Sequence, residues 1–297
     1  MRPGDTVAVV SPSGPPDAAR LKRGVRELEG LGLKVVLGEH VLDRQGLPYL
    51  AGSDAARAAD LQAAWCDPAV SVVFCSRGGY GAARILDHLD FAAMREAGPR
   101  TLVGSSDITA LHHVLGAELG QPTLHGPMPA CATISDDAGP EPLTWHHLRA
   151  ALSGSPLPVH GNLVLSPGRA EGVVTGGNVS LLASMCGTRW QPDFSGKVVF
   201  LEDIGEEPYR LDRMLTQLLQ SGAFDGAVGI ALGSWVGCGD PYPVLKDRLL
   251  PLGVPVLAGL PVGHGTPQLS LWLGALGVID TESCSLAGRF HDKHAAS

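Results

Sequence analysis

A serine, a glutamate and a histidine of this chain could do nucleophilic chemistry, each with a plainer role as the alternative: a helix cap, a solvated charge and an incidental loop histidine. Thr101–Val103 is a short apolar run that breaks at Gly104-Ser105-Ser106-Asp107. A helix-like pattern then continues through Ile108, Leu111, Leu115 and Leu119 at spacings of three and four. A strand turning sharply into a helix over a Gly-Ser pair presents a serine at the helix N-terminus. Free backbone N–H groups and the positive end of the helix dipole there favour developing negative charge. That is the logic of a nucleophile elbow, although the G-x-S-x-G text is absent. The competing reading is that Ser106 or Asp107 simply caps the helix. Glu202 and Asp203 close a strongly apolar run, Lys197–Leu201, and His264 stands between glycines in a loop free of helical pattern. The order Ser, Glu, His suits nucleophilic catalysis, but a triad is defined by geometry rather than by order.

A second constellation is Arg77-Gly78-Gly79-Tyr80-Gly81, between a strand-like and a helix-like segment. Glycines at such a junction allow positive φ and let a ligand approach backbone N–H groups closely. The loop suits a phosphate or half of an oxyanion hole. It is neither a Walker A loop nor G-x-G-x-x-G, and an ordinary tight turn is the alternative. Glu206, Glu207, Arg210, Asp212 and Arg213 read as a mostly solvated helix face with local ion pairing. His112-His113 and His146-His147 are adjacent pairs without the i, i+4 spacing of helix-borne zinc ligands.

The elements that must position these residues alternate through the first half. Thr6–Val10, Lys34–Leu37, Val70–Cys75, Thr101–Val103 and Thr123–His125 read as strands. Helices are expected around Leu21–Leu31, from an N-cap at Ser53 to Trp65, over Ala82–Leu86 and after Asp107. Strands separated by such helices imply βαβ units and a mainly parallel, Rossmann-like sheet. Ligands bind at the carboxyl ends of strands in such sheets. The loops Ser11–Pro16, Ser76–Gly81 and Gly104–Asp107 should therefore share one rim. A helix over Leu143–Leu152 precedes a Gly-, Pro- and Ser-rich stretch that reads as an interdomain connection. The expected division is an N-terminal domain over 1–153, a linker over 154–170 and a smaller mixed α/β or barrel-like domain over 171–297. Strands at Gly172–Thr175, Lys197–Leu201, Ala227–Leu232 and Val254–Leu257 are expected in the last, with an amphipathic helix over Tyr209–Leu219.

Composition narrows the function classes. The chain has 297 residues, 44% hydrophobic and 18% charged, with a net charge of -8, as in an ordinary globular protein of one large or two smaller domains. No Lys/Arg cluster offers a nucleic-acid surface. No apolar run approaches the roughly 20 residues of a membrane span, and the start, MRPGDTVAVV, reads as a first strand rather than a signal peptide. The six cysteines are scattered without a C-x-x-C pair, which suggests free thiols in a reducing compartment, the cytoplasm.

Taken together, the motifs resemble the LD-carboxypeptidases, the muramoyltetrapeptide carboxypeptidase family of serine peptidases. The resemblance rests on VAVVSPSGPP (Val7–Pro16), SRGGYGAARIL (Ser76–Leu86), GSSDITAL (Gly104–Leu111), HGPM (His125–Met128) and GGNVSLL (Gly176–Leu182). It continues through FLEDIGEEPYRLDRML (Phe200–Leu215) and GHGTPQLSLWLGA (Gly263–Ala275). The resemblance implies a class I glutamine amidotransferase-like N-terminal domain. It implies Ser106, not Ser105, as nucleophile, His264 as general base and Glu202 as the acid orienting that base. The implied oxyanion hole is the backbone N–H of Asp107 and that of Gly79, with Gly78 a near alternative. Ser105 departs from the family, where an aromatic residue or His is usual, and is expected to alter packing rather than chemistry. The implied reaction cleaves the amide between the L-centre of meso-diaminopimelate or lysine and a terminal D-alanine, turning murein tetrapeptide into tripeptide during cytoplasmic cell-wall recycling. No metal or organic cofactor is implied, and a homodimer is, with the apolar Leu269–Leu273 region either a contributor to it or core.

A carboxypeptidase must also hold a free carboxylate, for which Arg77 and Arg210 are the candidates. The enzymatic alternative is a microcin C-type self-immunity peptidase acting on aminoacyl-nucleotide amides. Two readings of other classes are a non-catalytic binder of cell-wall peptides and an α/β phosphate binder using Arg77–Gly81.

Overall fold

The structure is a computed structural model that describes residues 1–44 and 46–289. In chain order the first elements are β1 (Thr6–Val10), α1 (Ala18–Gly30), β2 (Lys34–Leu37), α2 (Asp54–Cys66), β3 (Val70–Cys75) and α3 (Ala82–Ile85). They continue with α4 (Phe91–Glu96), β4 (Thr101–Gly104), α5 (Thr109–Leu119), β5 (Thr123–His125), α6 (Ala132–Ser135) and α7 (Pro142–Leu152). A 3-10 turn over Ser106–Ile108 leads directly into α5.

Strands β2-β1-β3-β4-β5 lie side by side and parallel. Chain order reverses between β1 and β3, the switch point beside which ligands bind in open sheets of this kind. β1 and β3 are Val-rich and buried on both faces, as a sheet with helices on both sides requires. Val10, Val73 and Leu102 pack with Leu61, Trp65, Ile85 and Leu111 on one face. Val9, Val72, Phe74 and Val103 pack with Leu21, Leu28 and Leu148 on the other. The period of two in the strands thus assigns one helical layer to each face.

The later elements are β6 (Val159–His160), β7 (Leu163–Ser166), β8 (Arg169–Asn178), α8 (Val179–Ser184), β9 (Lys197–Ile204), α9 (Pro208–Gln220) and β10 (Gly229–Val236). They end with α10 (Tyr242–Leu249), β11 (Val256–Ala258), β12 (Leu271–Leu273), β13 (Leu276–Asp280) and β14 (Ser285–Arg289). The second sheet has the order β6-β14-β13-β8-β9-β10-β11-β7. β8 to β11 are mutually parallel and the flanking strands antiparallel. Its two outermost strands belong to one continuous segment. β6 pairs with β14, and Gly161 N–H donates to Cys284 O. Asn162 N–H donates to Ala258 O, and β7 pairs with β11. One stretch of chain therefore stitches both edges together, and the sheet curls toward a barrel.

Two expectations change and one open alternative is decided. The stretch 154–170 is more than a linker, because it supplies β6 and β7, and its Gly/Pro content marks the bends between short strands. β12 lies within 171–297 but returns to the first sheet, antiparallel to β5. Leu269, Leu271 and Leu273 are buried there against Val198, Phe200 and Leu257 of the second sheet, so they are core and not a free contact surface. The two sheets are thus joined through shared packing. All six cysteines are free. Among the described residues, no helix is long and apolar enough to cross a membrane.

Candidate active site

The three loops at the carboxyl ends of β1, β3 and β4 do share a rim. Gly14 N–H donates to Gly78 O at 3.2 Å, and the Ser11 and Ser76 hydroxyls are 2.6 Å apart. Ser105 is extended, and Ser106 then takes φ +63°, the left-handed region that side-chain-bearing residues avoid. Such strain costs on the order of 1–3 kcal/mol and persists only where the surroundings over-determine it. They do so here. Gly104 O accepts from His112 Nε2–H and from Gly126 N–H, each at 2.9 Å. A Cβ on Gly104 would lie 2.8 Å from the Ile108 side chain, so Gly104 lets the turn close.

Asp107, of which a backbone N–H donor is expected, also places a carboxylate beside the elbow. Its buried Oδ2 accepts from Ser13 Oγ at 2.5 Å and from Ala82 N–H at 2.8 Å, tying the elbow to the β1 loop and the start of α3. Burial raises its pKa, a rise that the Ser13 and Ala82 hydrogen bonds oppose. The Asp107 N–H stands in the first turn of the 3-10 segment, where no helical carbonyl precedes it.

Gly78 backs directly onto the elbow, since a Cβ there would stand 2.8 Å from Ser106 Cβ and 3.1 Å from its Oγ. Gly79 has φ +114°, a conformation that glycine adopts without the steric cost a side chain would bring. Beneath the loop, the fully buried Arg57 donates through Nη1 to Gly81 O at 2.8 Å and to Pro12 O, and pairs with Asp54. Arg57 was missed from the sequence. Its signal is the i, i+4 register of Arg57, Leu61 and Trp65, which puts a guanidinium on the buried stripe of an Ala-rich helix.

Glu202 comes from the second sheet and His264 from the loop between β11 of that sheet and β12 of the first. β9 runs buried through Glu202, and His264 Nδ1 lies 2.6 Å from Glu202 Oε2. That contact makes Nδ1 the protonated nitrogen and leaves Nε2 as the basic atom of the ring. Burial pulls the His264 pKa down. The hydrogen bond and charge of Glu202, with Asp203 behind it, outweigh burial and leave it raised. Gly263, at φ +114°, is required beside the pair, because a Cβ would fall 2.6 Å from Glu202 Oε2. Ser234 on β10 holds the same loop by accepting from Gly265 N–H at 3.0 Å.

Asn178 fastens this half to the other. Its Nδ2 donates to Asp203 Oδ1 at 2.8 Å and reaches Glu202 Oε1 at 3.4 Å. Its backbone N–H donates to Thr109 Oγ1, in the first turn of α5, at 3.0 Å. Burial first, then the neighbouring Glu202 charge, pushes the Asp203 pKa up to about 6 against its hydrogen bonds.

Ser106, Gly78, Gly79 and His264 line one cleft of about 470 Å³, within the usual range for small-ligand sites. Arg77 lines it too, its Nη1 3.5 Å from Pro15 O. Arg210 does not. It sits on the exposed face of α9, with Nε 2.6 Å from Glu206 Oε2, and the i, i+4 spacing that suggested a charged helix face accounts for it. Sequence reading also missed Arg20 and Gln268. Arg20 lines the cleft from the first turn of α1. Gln268 Nε2 donates to Ser105 Oγ at 3.1 Å, and both residues line the cleft beside Ser106.

The chain is similar to known proteins along nearly its whole length. A Streptomyces coelicolor relative is 49% identical over 296 residues, covering 96% of this chain and 94% of its own. The murein tetrapeptide carboxypeptidase of Pseudomonas aeruginosa is 33% identical over 288 residues, with 92% of each chain covered. Among solved structures, muramoyltetrapeptide carboxypeptidase from Oxalobacter formigenes superposes with a TM-score of 0.84 at 29% identity, over 95% of this chain and 97% of that one. The microcin C7 self immunity protein MccF shares the fold, with a TM-score of 0.87 at 24% identity over 98% and 97% of the two chains. Residues 7–126 match the LD-carboxypeptidase N-terminal domain and residues 171–279 the LD-carboxypeptidase C-terminal domain, and the chain belongs to the LD-carboxypeptidase family.

Proposed function

We propose that this protein is a serine LD-carboxypeptidase that removes the terminal D-alanine from murein tetrapeptide, working in cytoplasmic cell-wall recycling with Ser106, His264 and Glu202 as its triad. The observation that carries the reading is the 2.6 Å contact between His264 Nδ1 and Glu202 Oε2 in a cleft shared with a left-handed Ser106. A buried carboxylate on Nδ1 fixes the tautomer and stabilises an imidazolium, the orienting role of a triad acid. A serine held at positive φ by its neighbours matches a nucleophile elbow better than a helix cap.

In this mechanism Ser106 Oγ attacks the peptide carbonyl carbon as His264 Nε2 takes its proton. The oxyanion is held by the Asp107 and Gly79 N–H groups, each donor worth about 3–4 kcal/mol. The C–N bond breaks as His264 returns the proton to the amine of D-alanine. Water, activated by the same nitrogen, then hydrolyses the acyl-serine.

The test is mass spectrometry of purified protein with murein tetrapeptide. Conversion to tripeptide plus D-alanine is expected from wild type and not from Ser106→Ala. Binding without cleavage by wild type would mark a non-catalytic peptide binder. Cleavage of an aminoacyl sulfamoyl nucleoside in place of the tetrapeptide would mark a self-immunity peptidase.

A further inference from the structure

The end of the first sheet opposite the active-site rim holds a second cavity, of about 450 Å³. It lies at the amino ends of β1 and β2, where Gly4 N–H donates to Gly32 O at 2.8 Å and Lys34 N–H to Asp5 O at 2.9 Å. Arg2, His146 and Arg149 line it, and Leu31, Leu33 and Leu157 supply an apolar wall. Among the described residues, no Asp or Glu lines this cavity, although the chain as a whole has a net charge of -8.

No ion pair or helix cap occupies its two arginines. Among the described residues, neither Arg2 nor Arg149 pairs with a carboxylate. A cation in the last turn of a helix commonly serves the carbonyls exposed there. In α7 those carbonyls already have donors. Ser153 N–H donates to Arg149 O, Ser155 N–H to Ala150 O, Gly154 N–H to Ala151 O and Met1 N to Leu152 O. The Arg149 guanidinium is thus free of capping, and Arg2 belongs to no helix.

The other end of α7 serves the active site. Thr144 Oγ1 accepts from Gln268 N–H at 2.9 Å, and Gln268 lines the catalytic cleft. The 11 residues of α7 span about 16 Å, so cleft and cavity are separate sites on one helix. The adjacent histidines divide between neighbours. His147 Nδ1 accepts from Ser270 N–H at 3.2 Å, whereas His146 lines the cavity.

We propose that this cavity is a binding site for a phosphate monoester, distinct from the peptide cleft. The guanidinium forks of Arg2 and Arg149 take the phosphate oxygens in charge-assisted hydrogen bonds, and the three leucines cover the organic part. Two arginines without a carboxylate beside them suit a doubly charged anion better than a singly charged one. The cavity is larger than a phosphate ion needs, and its apolar wall favours an ester over the free ion.

The test is isothermal titration calorimetry of the whole purified protein with phenyl phosphate and with inorganic phosphate. Wild type is expected to bind phenyl phosphate saturably and about tenfold or more tighter than inorganic phosphate. Arg2→Ala and Arg149→Ala should each weaken that binding by about tenfold or more, and Arg149→Lys should recover only part of it. Arg77→Ala, which alters the peptide cleft, should leave it unchanged. Thermal unfolding checks that each variant folds. Absence of saturable binding by wild type overturns the site, and equal affinity for the two anions overturns the monoester as its ligand. Binding that survives in folded Arg149→Ala but is lost in Arg77→Ala places the anion in the peptide cleft and overturns the proposal as well. No peptide takes part in the titration, so its outcome is independent of the carboxypeptidase reading.

Discussion

Asn178 N–H donates to Thr109 Oγ1 across 3.0 Å, and the same asparagine side chain holds Asp203 and reaches Glu202. One residue at the end of β8 thus connects the helix behind Ser106 to the strand that carries the acid. Ser106 follows β4 of the first sheet and Glu202 lies on β9 of the second, so their relative placement depends on this junction.

The junction leaves no room for a side chain at Gly177. Its φ is +137°, and a Cβ would meet Thr109 Oγ1 at 2.5 Å. Gly177→Ala is expected to destabilise the fold by about 1–3 kcal/mol and to lower kcat by separating the two halves of the site. Denaturant unfolding and steady-state kinetics check both effects, and retention of wild-type values in each would show that the junction is compliant.

Gly78→Ala probes the elbow from the opposite side. The introduced methyl group would meet Ser106 itself, and no positive φ forbids alanine at this position. A loss of about 100-fold or more in kcat, comparable to losing one oxyanion donor, is expected, with a destabilisation of about 1–3 kcal/mol as the elbow shifts to admit the methyl group.

The pH dependence follows from the state of His264. Only the neutral ring can accept the Ser106 proton, and Glu202 and Asp203 raise its pKa above the ordinary 6.5 against the pull of burial. The acid limb of kcat/KM is therefore expected above pH 6.5, with activity rising as pH passes through the raised value. In Glu202→Gln the supporting charge is lost and burial prevails, so the limb should move to lower pH while kcat falls by up to about 10,000-fold, as for the corresponding change in a Ser-His-Asp triad. A limb that stays in place would show that Glu202 does not set the histidine's charge.

His112 makes a separate prediction about stability. It is buried, with Nδ1 2.8 Å from Thr123 Oγ1 and Nε2 on Gly104 O, and burial pushes its pKa down to about 4 despite the Gly104 hydrogen bond. A folded pKa below the unfolded one contributes stability that is present above pH 6.5 and is lost as pH falls toward 4. The shift from 6.5 to about 4 corresponds to a loss on the order of 3 kcal/mol at full protonation. Chemical denaturation at pH 7 and pH 5 should show a smaller acid penalty in His112→Gln than in wild type. Comparing the two proteins cancels the opposite trends of Asp107, Asp203 and His264, whose pKa values are all raised.

Legibility in the sequence followed the periodicity of burial. β1, β2, β3 and β5 end where the apolar runs end, and the strand-end rule put Ser11–Pro16, Ser76–Gly81 and Gly104–Asp107 on one rim. The short strands β6 and β7 were hidden because they span two and four residues among Gly, Pro and Ser, too few for a period of two to show. β13 and β14 gave no expectation either, since Gly277 and Gly288 interrupt their alternation. At the site, residues with unusual local chemistry could be found in the sequence, as His264 between glycines was. Residues acting through long-range contacts could not. Ser13, Ser234, Gln268 and the carboxylate of Asp107 reach partners between 25 and 163 positions away. Arg210 misled because a guanidinium near a motif looks the same whether it faces a cleft or a neighbouring glutamate.

The assignment of attack to Ser106, activated by His264 and Glu202, is tested most directly by mapping a fluorophosphonate adduct by peptide mass spectrometry. The expected result is a single adduct on Ser106, absent from Ser105 and lost in His264→Ala. An adduct on Ser105 or elsewhere, or no adduct on a protein that still releases D-alanine, would contradict it.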